Sequence, residues 1–190
     1  MAERTVVMDA QAVSRAVTRI SFEILERNRG AEDLCLIGIQ AGGAGLARRI
    51  AARIEEIEGR RVDCGALDIT LYRDDIAAPA GYAESTCIDF AIDGKRVVLI
   101  DDVIYTGRSV RAAIDAIMSR GRPQNIQLAI LVDRGHRELP IRADFIGKNL
   151  PTSKEERVEV LADGGPEDCV AIVKGEARYT TDEHKEGTTV

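Results

Sequence analysis

The chain has 190 residues, 45% of them hydrophobic and 31% charged, with a formal net charge of −6 at pH 7. That length suits one domain with a full hydrophobic core, and the composition is that of an ordinary globular protein. No apolar run is long enough to span a bilayer and no secretory leader pattern is visible, so a cytoplasmic protein is expected. The acidic balance argues against a general nucleic-acid binder but leaves room for a local basic patch.

Asp9 is a good N-cap, and Val13, Val17, Ile20 and Ile24 then repeat at helical spacing up to Gly30, which can end the helix. Leu34 to Ile39 is a short apolar strand running into a flexible turn, Gln40-Ala41-Gly42-Gly43. A second helix follows, with Leu46, Ile50, Ile54 and Ile57 on its buried face and Gly59 at its close. Residues 62–72 read as a long strand with Arg73-Asp74-Asp75 at its end; residues 76–89 read as a loop rich in Ala, Pro and Gly, and Asp93-Gly94 as a turn. Val97 to Ile100 read as a buried strand, with Asp101 and Asp102 where it should end. Tyr105-Thr106-Gly107-Arg108-Ser109 then leads into a helical pattern, Val110, Ala113, Ile114 and Ile117, that stops near Gly121. Ile126 to Val132 is another apolar strand. The last stretch is charged and poor in apolar residues, so residues 1–175 are expected to form one domain and 176–190 a frayed tail. Cys35, Cys64, Cys87 and Cys169 form no C-x-x-C pair and read as buried free thiols, not as a zinc site.

Apolar strands alternating with amphipathic helices predict an α/β fold: a mainly parallel central sheet flanked by helices on both faces. Ligands in such folds bind at the carboxyl ends of the strands. Residues 40–43, 73–75, 101–109 and 133–142 all follow strands and should meet on one rim. Residues 101–109 are the most informative. A strand, a small polar turn and a helix N-terminus make an anion site, because free backbone N–H groups and the helix dipole point at one spot. The Gly-x-x-x-x-Gly-Lys pattern of a P-loop is absent. An ordinary capped turn is the bland alternative, and two adjacent carboxylates argue against it: like charges side by side repel, and the site must neutralise or use them. They suit ribose hydroxyls or a magnesium ion beside a phosphate.

This segment resembles the phosphoribosyl-pyrophosphate (PRPP) signature of type I phosphoribosyltransferases. Further blocks narrow the resemblance: Thr18-Arg19-Ile20, Glu26-Arg27-Asn28, residues 68–75, Gly121-Arg122-Pro123, residues 126–129, 132–144 and 146–153. From about Met8 to Val173 the chain is similar to the family of bifunctional pyrimidine operon attenuation regulators and uracil phosphoribosyltransferases. The resemblance implies a type I phosphoribosyltransferase fold with a small hood region. It also implies a homodimer or higher homo-oligomer that binds operon leader mRNA when uridine nucleotides (UMP or UTP) are abundant, and that makes UMP from uracil and PRPP with Mg2+.

Residue by residue, the resemblance puts the ribose hydroxyls on Asp101 and Asp102, directly or through magnesium. Val103, Tyr105, Thr106, Gly107, Arg108 and Ser109 cradle the donor, with Gln40, Ala41, Gly42 and Gly43 beside them. Arg73 closes over the leaving diphosphate with Asp74 and Asp75 alongside. Arg137 and Ile141 lie towards the base. Thr18, Arg19, Arg27, Arg142, Lys148, Thr152 and Lys154 form the RNA face. Two positions depart from the family pattern. Ala41-Gly42-Gly43 stands where Thr-Arg-Gly is usual, and Phe22 where a histidine is common. Tyr105 replaces the aspartate usual in 6-oxopurine transferases and disfavours a purine. His136, flanked by Arg134 and Arg137, reads as structural or RNA-contacting and not as a general base, which this chemistry does not require. The competing readings are a nucleotide-sensing regulator with little transferase activity, and another pyrimidine or orotate transferase.

Overall fold

The computed structural model describes residues 3–75 and 79–174; the expected tail over 176–190 and loop residues 76–78 lie outside the described residues. Strand β1 (Glu3–Met8) leads into helix α1 (Ala10–Asn28). The Asp9 carboxylate accepts the N–H of Ala12 at 2.8 Å, a cap that contributes about 1 kcal/mol. At the far end Arg29, before Gly30, already takes a left-handed conformation with φ 56°. Strand β2 (Leu34–Ile39) follows as expected, but helix α2 (Gly42–Glu58) takes in Gly42 and Gly43, so the turn is only Gln40-Ala41.

Strand β3 (Asp63–Leu67) is half the length expected over 62–72. The reason is Asp68. Its Oδ1 accepts the N–H of Thr70 at 3.0 Å and its hydroxyl at 2.7 Å, and this local competition with the sheet ladder turns the chain into a single 3-10 turn, Thr70–Tyr72. Strand β4 (Arg96–Ile104) errs the other way: Asp101 and Asp102 lie inside the strand and not at its end. Then come α3 (Arg108–Arg120), β5 (Asn125–Asp133), β6 (Phe145–Asn149), β7 (Glu156–Leu161) and β8 (Cys169–Lys174).

The main sheet is five-stranded and parallel throughout, in the order β3-β2-β4-β5-β6. Alternation along its strands feeds two cores. Leu36, Val98, Ile100, Ala129 and Leu131 pack under α1 and α2 with Val13, Ile20, Ile24, Leu46 and Ile54. Cys35, Ile37, Val97, Leu99, Leu128 and Ile130 pack under α3 with Ala113, Ala116 and Ile117. The small region beside the main sheet is an antiparallel sheet, β1-β8-β7, whose strands the sequence reading did not pick out. A buried ion pair fastens it to α2: Arg49 reaches Asp168 at 2.8 Å and the Ala162 carbonyl at 2.9 Å, while the N–H groups of Gly164 and Gly165 cap the other oxygen of Asp168. Among the described residues no helix is long and apolar enough to cross a membrane. The cysteines are free, but only Cys35 is buried; Cys87 is exposed, against the expectation. Burial pushes the Cys35 thiol up to about 12.

Candidate active site

The site begins where β4 loses a neighbour. Its pairing with β2 ends at Gly38–Ile100, whereas pairing with β5 continues to Ile104–Asp133. Asp101 and Asp102 therefore sit on a strand with one free edge, opposite the start of α2. That approach is close enough to require glycine. A Cβ on Gly43 would overlap the Ile100 carbonyl, and one on Gly42 would overlap the Asp102 carboxylate. Asp101 is 8% exposed, and its Oδ1 accepts the Asp102 N–H at 3.0 Å. Burial, and then the neighbouring Asp102 charge, raise its carboxyl well above the ordinary carboxylate range.

Gly107, at φ 96°, turns the chain into α3. The Thr106 carbonyl behind it is pinned by the N–H groups of Glu138 and Leu139 at 3.0 and 3.2 Å. The first-turn N–H groups of Ser109 and Val110 have no intrahelical carbonyl and carry the positive end of the helix. Arg73 comes across from the β3 side: it grips Asp75 through two bonds of 2.6 Å and donates to Ser109 Oγ at 2.7 Å. Arg108 reaches Glu138 at 2.9 Å and Asp74 at 3.2 Å; Arg111 lies 3.4 Å from Asp74. The cations of the cradle are thus held by the protein's own acids. A cavity of about 330 Å³ is lined by Arg73, Asp101, Val103, Glu138 and residues 104–110. A second, of about 420 Å³, is lined by Gln40, Ala41, Gly42, Asp102 and Thr70, and shares Arg73, Asp101, Val103 and Ser109 with the first. Residues 40–42, 73–75 and 101–109 meet on one rim as the sequence predicts, with Glu138 supplied by the loop after β5. The arrangement can hold an anion at α3, hydroxyls at Asp101 and Asp102, and a second anion near Arg73.

The family model described as "Phosphoribosyl transferase domain" matches residues 4–163. The "Bifunctional protein PyrR" of Geobacter sulfurreducens is 58% identical over 174 residues, 90% of this chain and 98% of that protein. That of Listeria welshimeri is 57% identical over 185 residues, 93% of this chain and all of its own. The chain belongs to the bifunctional PyrR family of phosphoribosyltransferases. Among solved structures, a hypoxanthine-guanine phosphoribosyltransferase from Bacillus anthracis matches with a TM-score of 0.65 at 17% identity, covering 91% of this chain and 99% of that one. A hypoxanthine phosphoribosyltransferase from Staphylococcus aureus matches at 0.61 and 18%, covering 78% and 79%. At that identity the likeness speaks for the fold alone.

Within this PyrR-family chain, the two residues that the sequence assigns to the base side are braces. Arg137 donates to Asp133 at 2.5 Å, to the Tyr105 carbonyl at 2.8 Å and to the Ile141 carbonyl at 3.0 Å; Ile141 packs into the apolar cluster under α3. His136 points Nε2 at the Thr152 carbonyl, 2.5 Å away, and its ring meets Tyr105 edge-on, which fits a structural histidine. The positions assigned to RNA do not form one cluster. Thr18 and Arg19 share a groove with Phe22, which is 53% exposed. Arg19 bonds the carbonyls of Ile146 and Gly147, one residue from Lys148, and Arg27 pairs with Asp144 at 3.0 Å, two residues past the exposed Arg142. They follow edge strand β6. Thr152 lies beyond the end of that strand against Arg134, with exposed Lys154 two residues on.

Two site residues escaped the sequence reading. Glu138 left no signal beyond its place after β5. Asp68 did leave one, because Asp-x-Thr is an Asx-turn pattern. Its Oδ2 accepts the Ser85 N–H and hydroxyl at 3.1 and 2.7 Å, and Ser85 in turn bonds Gln40. Asp68 thereby fixes the floor of the second cavity.

Proposed function

We propose that the chain transfers the phosphoribosyl group of PRPP to uracil, releasing diphosphate and UMP, and that it reads the leader RNA of a pyrimidine operon according to the uridine nucleotide in the same pocket. The observation that carries this reading is the rim itself: paired carboxylates and an open helix N-terminus, facing Gln40–Gly42 and Arg73, in a chain more than half identical to PyrR proteins. The same reading makes it a cytoplasmic homodimer or higher homo-oligomer.

The work of the residues follows from the geometry. The N–H groups at the start of α3, with Thr106 and Ser109 hydroxyls, bind the 5′-phosphate. Asp101 and Asp102 accept the ribose hydroxyls and fix the anomeric carbon for in-line attack. Arg73 exchanges Asp75 for diphosphate, where its charge grows in value as the bond breaks. No nucleophilic side chain is needed, because an oxocarbenium-like state requires only positioning and charge stabilisation. Tyr105 offers no carboxylate to a purine, which favours uracil.

The two carboxylates supply oxygen donors suited to magnesium. Among the described residues no group of three or more His, Cys, Asp or Glu side chains is placed to hold a metal. Asp101 and Asp102 are the residues that would hold a magnesium ion brought in with the donor. Such an ion would neutralise the diphosphate.

Assays of uracil, orotate and hypoxanthine with PRPP and magnesium test the enzyme. UMP formation from uracil alone is expected; turnover of hypoxanthine or orotate in its place would reject the assignment. UMP binding without turnover would favour the sensing reading, which the missing cation at Gly42 supports. For the regulator, filter binding to the leader RNA should tighten with UMP, and Arg19→Ala should weaken it without affecting transfer. Equal affinity for an unrelated hairpin would reject RNA recognition at this face.

A further inference from the structure

Arg134 is 7% exposed, yet its guanidinium bonds no carboxylate among the described residues. Burying a cation in this way is costly unless other groups replace its water. Three groups do so, all on one short segment: Thr152 Oγ1 accepts from Nε at 3.0 Å, and the carbonyls of Ser153 and Glu156 accept from Nη2 at 3.1 and 2.6 Å. The remaining compensation is aromatic. The guanidinium carbon lies 4.2 Å from the centre of the Tyr105 ring, well inside cation–π range. His136 makes a second connection between the same two places, with its ring edge-on to Tyr105 at 5.7 Å and Nε2 on the Thr152 carbonyl. Tyr105 itself lines the cavity of the phosphate cradle, next to Thr106.

We infer that Arg134 is a positioning residue that joins the Tyr105 wall of the nucleotide pocket to residues 152–156, so that filling the pocket stiffens the segment carrying Thr152 and Lys154. The inference rests on the nucleotide reading above. Its physical content is a short contiguous path, ligand to Tyr105 to Arg134 and His136 to Thr152, in which both connections converge on one residue. A ligand that fixes the Tyr105 ring also fixes the face on which the cation rests, and the cation's three other bonds all end on residues 152–156. Coupling is reciprocal, so holding 152–156 in place must favour the ligand by the same factor. A simple structural pin would hold the segment equally with and without ligand, and this separates the two roles.

The test is amide hydrogen exchange of the peptide covering 150–157, with and without saturating UMP, alongside calorimetry of UMP binding. In the wild type, UMP should slow exchange in this segment by about fivefold or more, the lower end of typical couplings. Thr152→Val, which keeps the shape but removes the acceptor for Nε, should lose a measurable part of that response while UMP still binds. Arg134→Gln should lose most of it, Arg134→Lys should recover part by restoring a cation over the ring, and Tyr105→Phe should keep it. If Arg134→Gln fails to fold, Thr152→Val and Arg134→Lys carry the test. UMP binding with unchanged exchange at 150–157, or a full response in Thr152→Val and Arg134→Lys alike, overturns the inference and leaves the nucleotide reading intact. Failure of the wild type to bind UMP overturns the nucleotide reading and the inference with it.

Discussion

Asp68 and Asp101 stand on either side of β2, at the carboxyl ends of β3 and within β4, and are almost equally buried at 7% and 8% exposed. Their carboxyls nevertheless move in opposite directions. For Asp68, burial opposes the charge, but the approach of the Tyr82 hydroxyl and the bonds from Thr70 and Ser85 outweigh it and hold the group below the usual carboxylate range. For Asp101, burial and then the Asp102 charge both act upward, against a single backbone N–H and the charge of Arg73. Burial alone therefore does not decide the state of a carboxylate; the supply of donors does. A satisfied aspartate such as Asp68 is architecture. One left short of donors, such as Asp101, is prepared for a partner that the protein does not itself provide, and ribose hydroxyls are donors of the required kind.

The largest expected effect follows from neutralising the unsatisfied member. Asp101→Asn should weaken PRPP binding by about 10- to 100-fold, the worth of one charge-assisted hydrogen bond at 1.5–3 kcal/mol. The same change should raise thermal stability at neutral pH. The sign follows from the raised carboxyl: between the unfolded value near 3.9 and the higher folded value, the folded chain holds more protons than the unfolded one. Stability in the wild type is therefore lost as pH rises through that window, and asparagine removes the loss. Calorimetry with PRPP and thermal melts from pH 4 to 8 check both halves. A destabilised Asp101→Asn at pH 7 would contradict the account of the site.

Asp68→Ala should do the reverse, lowering stability by about 1–3 kcal/mol as its hydrogen bonds are lost. A depressed carboxyl contributes stability that is fully present above the unfolded value and lost as pH falls through the folded one. The gap between wild type and mutant should accordingly be full at pH 6 and shrink in acid. Denaturant melts at pH 6 and at steps into acid read it directly; a gap that does not begin to shrink once the pH falls below the unfolded value near 3.9 would assign the effect to packing and not to charge.

The two aspartates also show where the sequence was legible. The Asp101–Ser109 segment announced itself because strand, turn chemistry and helix pattern are all local, and the alternating apolar runs gave the parallel sheet. The end of β3 was not legible as a strand end, because Ile69, Leu71 and Tyr72 keep an apolar pattern and the turn depends on Asp68 meeting Thr70 nearby and Ser85 across a loop. Residues 101–104 kept strand geometry because β5 still pairs with them, a long-range fact. β7 and β8 were missed although Val158 and Val160 alternate and residues 169–173 are mostly apolar; β8 is the central strand of their sheet, and its other partner, β1, lies at the other end of the chain. The scatter of the RNA-assigned residues depends on α1 meeting residues 144–147 and on Thr152 meeting Arg134, contacts between parts far apart in the chain.

The smallest effect concerns two glycines in the first turns of α2, and it sharpens the comparison by moving only the neighbour of Asp101. From the sequence, an arginine restored at position 42 is attractive because it would return a cation to the diphosphate. The structure sets a limit on that gain: any side chain at 42 begins with a Cβ in the space of the Asp102 carboxylate. Asp102 must then swing away, giving up its 2.7 Å bond from the Val103 N–H and its place on the rim. Gly42→Ala isolates this cost without adding charge, and PRPP should bind several-fold more weakly, by about 0.5–1.5 kcal/mol for one hydrogen bond. Gly45→Ala, one turn on, is the control. Its Cβ would find nothing nearer than 3.9 Å, so the gain in helix propensity should stabilise the chain by about 0.5–1 kcal/mol with PRPP affinity unchanged. Titration of PRPP into both variants decides the matter. Equal affinities would mean that Asp102 yields at no cost, and the arginine at 42 would again be the better test of what this rim lacks.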